Sequence, residues 1–123
     1  MAIKFIIPGR LDGLNDYTKA NRANAYGGNS VKQRNEKIVK LAITQAKLNR
    51  VNKYPVRLKI SWYEKNARRD VDNIMFGQKF ILDALVKSEI LVNDSQKFVK
   101  GITHEVSVDK AFPRIEVEII ESA

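Results

Sequence analysis

With 123 residues, 22 Lys and Arg against 14 Asp and Glu and a net charge of +8, the chain is sized for one hydrophobic core and too short for a second. Its 44% hydrophobic and 29% charged residues are ordinary globular values, which excludes a disordered basic tail. The absence of cysteine removes disulfides, Cys-ligated zinc and thiol nucleophiles, and no apolar run or leader pattern marks a membrane span or signal peptide, so the expected location is the cytosol.

The charge is unevenly divided. Met1 to Arg69 carries 16 basic and 4 acidic residues, whereas Asp70 to Ala123 carries 6 basic and 10 acidic ones. The first part is therefore strongly positive and the second negative, with the sign changing at the Arg69-Asp70 bond. A basic surface of this strength attracts polyphosphates, nucleic acid foremost, with an affinity that falls as salt rises. A basic surface serving only solubility is the plain alternative.

In chain order, Lys4 to Pro8 reads as a short strand closed by Pro8-Gly9. Gly9 to Asn29 is polar and turn-rich, and reads as a loop near 20 residues long. In it Arg10, Lys19 and Arg22 are interleaved with Tyr17 and Tyr26, a mixture suited to phosphate contacts with base or sugar stacking, or to tyrosines that pin the loop on the core. Ser30 is the predicted N-cap of a helix reaching about Arg50, with Val31, Ile38, Leu41, Ala42, Ala46 and Leu48 as its apolar stripe. Lys32, Arg34, Lys37, Lys40 and Lys47 occupy the rest, as a phosphate-binding or simply solvated face.

After a break at Asn52 to Pro55, Val56, Leu58, Ile60 and Trp62 alternate with Arg57, Lys59, Ser61 and Tyr63, the pattern of a strand with one buried side. Asp72 or Asn73 is the predicted cap of a second helix to about Glu89, burying Ile74, Ile81, Leu82, Leu85 and Val86. Gly77 inside it costs up to about 1 kcal/mol relative to Ala and implies close approach of another backbone. Strands are expected at Phe98 to Val108 and Ile115 to Ile119, joined by a hairpin loop from Asp109 to Pro113. The reading is a single small α+β domain over residues 1–123: a mixed sheet of about four strands with two main helices, in an order near β-α-β-α-β-β.

The most informative stretch runs from Asn66 to Asn73, with Asp70 and Asp72 at its centre. Carboxylates at i and i+2 diverge on a helix but share a side of an extended chain, about 6.6 Å apart at Cα. If this junction is extended, Val71 points to the core and both acids aim at one cation. Mg²⁺ takes oxygen ligands and keeps several waters, so two or three carboxylates suffice, and Asp94 is the third candidate. The alternative is a helix cap with a dipole partner. Asp83 and Glu89 read as ordinary helix-surface acids. Carboxylates beside a phosphate-binding surface, with a cation between, are what metal-dependent phosphodiester cleavage requires.

At these residues the chain resembles the RusA-type Holliday-junction resolvases, small endodeoxyribonucleases encoded largely by phages and prophages. The likeness covers most of the length. It rests on Arg68-Arg69-Asp70-Val71-Asp72-Asn73, a helix with Lys79 and Asp83-Ala84-Leu85, and Leu91-Val92-Asn93-Asp94-Ser95-Gln96, with Pro8, Asn15 and the basic segment through Ser30 in support. The resemblance implies that Asp70, Asp72 and Asp94 bind Mg²⁺, with Mn²⁺ an alternative, and that Lys79 assists cleavage. It also implies a homodimer that nicks a four-way junction in pairs, in DNA recombination and repair. Two positions depart from the family pattern. Its lysine often stands four residues after the second aspartate, where this chain has Phe76, and in some relatives an acid precedes the third aspartate, where this chain has Asn93. On one continuous helix Lys79 would keep a similar face about 4.5 Å further along the axis, whereas a three-residue insertion with Gly77 that shifts or bulges the helix would restore its reach.

Together these readings give a Mg²⁺-dependent, structure-selective endonuclease. Arg10, Lys19, Arg22, Lys32, Lys37, Arg68 and Arg69 are its expected DNA contacts, and Asn15 and Asn73 support the site. A non-catalytic basic junction binder is the alternative from another class, and a basic protein-interaction domain a third. The lone His104 has no nucleophile motif nearby, and no nucleotide-binding fingerprint is present, so neither ATP nor NAD is expected.

Overall fold

Strict alternation places Val56, Leu58, Ile60 and Trp62 on one side of β2 (Val56–Glu64), and in the computed structural model, which describes residues 2–122, all four are buried. β1 (Ala2–Pro8), β3 (Val99–Val108) and β4 (Arg114–Ile120) complete a mixed sheet in the order β1-β4-β2-β3. β4 lies antiparallel between β1 and β2, pairing Ile115 with Ile7 and Trp62, and β3 runs parallel to β2. The α+β reading with about four strands therefore holds, but Asp109 to Pro113 is not a hairpin loop. β3 and β4 are not neighbours. The segment crosses the end of β2, where Asp109 N–H donates to the Glu64 carbonyl at 2.8 Å. Loop length alone does not reveal that a strand is inserted between its flanks.

The expected 20-residue loop is largely helical. α1 (Leu14–Ala23) starts where the Asp16 carboxylate accepts the Gly13 N–H at 2.9 Å, and α2 (Gly27–Ala46) follows after a three-residue turn. α1 buries no residue completely and is predominantly polar; Tyr17 fixes it by packing its ring, tilted, at 5.2 Å from that of Phe76. At the turn the helices come so close that any side chain on Gly27 would meet the Ala20 carbonyl. Ser30 consequently lies inside α2 rather than capping it, and the helix stops at Ala46, with Lys47 left-handed at φ 52°.

The buried face of α2 is Gly28, Val31, Asn35, Glu36, Val39, Ala42 and Ile43, which keeps Val31 and Ala42 of the expected stripe but not Ile38, Leu41 and Ala46, all exposed. Two polar residues on the inward seam displaced the apparent phase. Asn35 is held by the Val31 carbonyl and by Asp12, which also accepts Arg34 Nη2 at 2.7 Å. Burial raises the Asp12 pKa, but the bonds from Asn35 and Arg34 outweigh it and hold the carboxyl below its usual value.

The second expected helix is broken into α3 (Val71–Met75) and α4 (Gln78–Lys87). A Cβ on Gly77 would stand 3.0 Å from the Trp62 ring and 3.4 Å from the Ile74 carbonyl of its own turn, so the nearest neighbour is an indole rather than a separate backbone segment. α4 buries Phe80, Ile81, Ala84 and Leu85, while Leu82 and Val86 are only half-buried. No helix among the described residues is long and apolar enough to cross a membrane.

His104 links three of these elements. Its Nδ1 accepts the Trp62 Nε1–H at 3.0 Å, which leaves the proton on Nε2 to donate to Gln78 Oε1 at 3.1 Å. Burial pushes its pKa below 6.5. The unfolded chain therefore takes up a proton near 6.5 that the folded one resists, so this stabilisation is whole above that pH and lost as pH falls through the folded value. The melting temperature is expected to fall on acidification from pH 7 to 5. In His104→Gln that component of the pH dependence should vanish; an unchanged slope would sink the assignment.

Candidate active site

The carboxyl ends of β1, β2 and β3 meet at one end of the sheet, and Asp70 and Asp72 stand there at the start of α3. Glu64 continues the inward phase of β2 and is buried at that end. Arg69 answers it: Nε and Nη2 each donate to the Glu64 carboxylate at 2.8 Å, and Nη1 reaches the Leu11 carbonyl at 3.0 Å. This two-pronged pair ties the chain just before Asp70 to β2 and to the segment after β1. Arg69, expected to contact DNA, is instead an internal clamp, its side chain only 12% exposed.

Asp70 occupies the N-cap position in extended geometry, φ −68° and ψ 153°, yet its carboxylate takes no cap hydrogen bond. Asp72 is already helical and accepts only the adjacent Asn73 N–H, at 2.9 Å through Oδ1. Both are exposed, with lone pairs to spare. The expected extended Asp-x-Asp with Val71 inward is not what forms. The helix begins at Val71, so Asn73 and Ile74 turn inward and Val71 is 52% exposed. Buried Asn73 accepts the Asn15 N–H at 2.8 Å, bringing the two supporting residues together and seating the start of α1 beside the acids.

Asp94 lies elsewhere. Its segment is anchored at the opposite end of the β2-β3 pair, where Val92 N–H donates to the Tyr54 hydroxyl at 3.0 Å and Val56 N–H to the Phe98 carbonyl at 2.8 Å. The nine residues of β2 separate the two ends by about 26 Å at roughly 3.3 Å per residue. Among the described residues no three His, Cys, Asp or Glu side chains gather closely enough to hold a metal ion. The three aspartates of one chain therefore do not fit a shared cation; the pair at α3 and Asp94 each leave a partial set.

Lys79 is exposed at the start of α4, its Nζ 3.9 Å from Asp83. The helix is interrupted at Phe76-Gly77, so Lys79 sits on a separate helix from Asp72 rather than further along the same one. Asp83 is no ordinary surface acid: it faces Lys32 at 3.4 Å across the α2-α4 seam. There Glu36, which is buried, accepts Lys87 Nζ at 2.6 Å. Lys32 is thereby engaged in the fold, unlike Arg10, Lys19, Arg22, Lys37 and Arg68, all exposed and in no ion pair among the described residues. Glu64 and Asn35 had gone unnoticed as anchors. Glu64 was readable, because it extends the alternation of β2 by one inward step; Asn35 has no signal short of the fold.

No curated protein matches the chain. The family model of endodeoxyribonuclease RusA matches residues 13–120, from the turn before α1 to the last residue of β4. That span includes both ends of the sheet, the exposed acids and the clamp that holds them, and the chain belongs to the RusA endodeoxyribonuclease family.

Proposed function

We propose that the protein is a Mg²⁺-dependent, structure-selective endodeoxyribonuclease that resolves four-way DNA junctions by paired nicks, acting as a homodimer in the cytoplasm of a bacterial host. Phage or prophage origin and a role in recombination and repair belong to the same reading. Family membership supports the nuclease chemistry. The observation that carries the site is that Asp70 stands at a helix start without spending its carboxylate on the cap, next to Asp72, which engages only Oδ1, with the adjacent Asn73 N–H.

Because Asp94 is a sheet length away, the three acids meet only if two copies are arranged with Asp70 and Asp72 of one protomer facing Asp94 of the partner subunit. A twofold axis would then create two equivalent sites, matching a symmetric junction with two cleavage points. A bound Mg²⁺ would supply phosphoryl polarisation and a more acidic attacking water. Arg69 holds the acids in place. Arg10, Lys19, Arg22, Lys37 and Arg68 grip the phosphate backbone, and Lys79 offsets charge developing on the leaving oxygen.

Complementation tests this reading. Asp72→Asn and Asp94→Asn homodimers are each expected to be inactive on a synthetic four-way junction with Mg²⁺. Subunit exchange between them regenerates one intact site per heterodimer, so nicking returns to at most about a quarter of the wild-type level, as single nicks rather than paired ones. A mixture no more active than its parts would sink the shared site. Intact strands with saturating wild-type protein would sink the nuclease reading and leave the non-catalytic junction binder.

A further inference from the structure

At the far end of α1 from the acids, Tyr26 forms the tip of the α1-α2 arm. It is 78% exposed, the most exposed of the large hydrophobic side chains. It holds the N-cap position of α2, where Ser, Thr, Asp or Asn is favoured, and it makes no side-chain cap bond. Its backbone is nonetheless well fixed: Tyr26 N–H donates to Asn24 Oδ1 at 2.9 Å, the Tyr26 carbonyl accepts Ser30 N–H at 3.0 Å, and Gly27 is wedged against Ala20. A local rule is broken: an aromatic ring is held out to solvent from a fixed backbone, and the fold gains nothing from it. Tyr17, in the same segment, is different, since its ring is packed on Phe76.

The surroundings select the ligand. Lys19 and Arg22 are exposed on α1 and in no ion pair among the described residues. Ten residues of α1 carry the tip about 15 Å from Asn15 and the acids, some four nucleotides along a strand at about 3.4 Å each. An aromatic face among unpaired cations at that distance suits a base that has left the stack, flanked by its own phosphates. We propose that Tyr26 is a stacking platform for an unpaired nucleobase near the branch point, and so a determinant of selectivity for branched over duplex DNA. This deepens the junction reading and rests on it.

The test is binding in EDTA, which separates it from cleavage, to three probes of equal length: a duplex, a duplex with a short single-stranded gap, and a four-way junction. Tyr26→Ala is expected to weaken gap and junction binding about fivefold or more and to leave duplex binding unchanged, with Tyr26→Phe close to wild type. Arg22→Ala should weaken all three alike, as a phosphate contact does. Equal losses on duplex and gap, or no loss on either unpaired probe, would overturn the stacking role. A wild type that favours the gap but not the junction would overturn the junction reading while the gap result still decides the role of Tyr26.

Discussion

Asp72→Asn is expected to bind a four-way junction as the wild type does while cleaving it slower by a factor on the order of 10²–10³. The substitution removes a charge and keeps the shape. Asp72 uses Oδ1 to accept the Asn73 N–H, a bond the carbonyl of Asn reproduces, so α3 should form unchanged. The structural cost is the loss of one acid from the first turn of a five-residue helix, on the order of 0.3–1 kcal/mol. Capping and metal binding thus predict different readouts. If Asp72 only serves the helix, the melting temperature moves slightly and the rate does not. If it serves a cation, the rate collapses and stability barely changes. Single-turnover cleavage beside a thermal melt separates them, and a variant with near-normal cleavage would end the metal assignment.

The second large effect is on folding. Arg69→Ala is expected to destabilise the protein by about 3–5 kcal/mol, because it strands the Glu64 carboxylate, 7% exposed, without its two donors. For a chain of 123 residues that is a fall of at least about 10 °C in melting temperature. Replacing both partners by apolar residues of similar size, Arg69→Met with Glu64→Leu, should recover most of the loss. A phosphate contact would behave otherwise: Arg69→Ala would reduce the salt dependence of DNA binding by about one ion and leave the melt untouched. A normal melting temperature in Arg69→Ala would therefore restore Arg69 to the DNA surface.

The central strands β2 and β4 were legible because their burial alternates without interruption. Val56 to Trp62 and Ile115 to Ile119 have apolar residues at every second position, and each became a strand with that side buried. α2 was legible as a helix but not in its rotation, since Asn35 and Glu36 take inward positions that a hydrophobic stripe cannot include. α1 was missed because its stability comes from the Asp16 bond to Gly13 and one tyrosine against Phe76, both invisible to a count of apolar residues. The division of charge also proved coarser than it looked. Glu105, Glu116 and Glu118 of the acidic part line an open trough on the outer sheet face together with Lys4 and Lys59, not the end that holds Asp70.

By itself, then, the sequence determined the composition of one small α+β core, the phase of its central strands and the identity of the acids worth testing, because those depend on neighbours one to four residues apart. Tertiary structure alone decided that β4 is inserted between β1 and β2, that Arg69 turns inward and that Asp94 lies at the other end of the sheet from Asp70. The last follows from parallel pairing. A crossover between parallel strands must return the chain to the end where it began, so residues before β3 cannot lie beside residues after β2 in the same protomer.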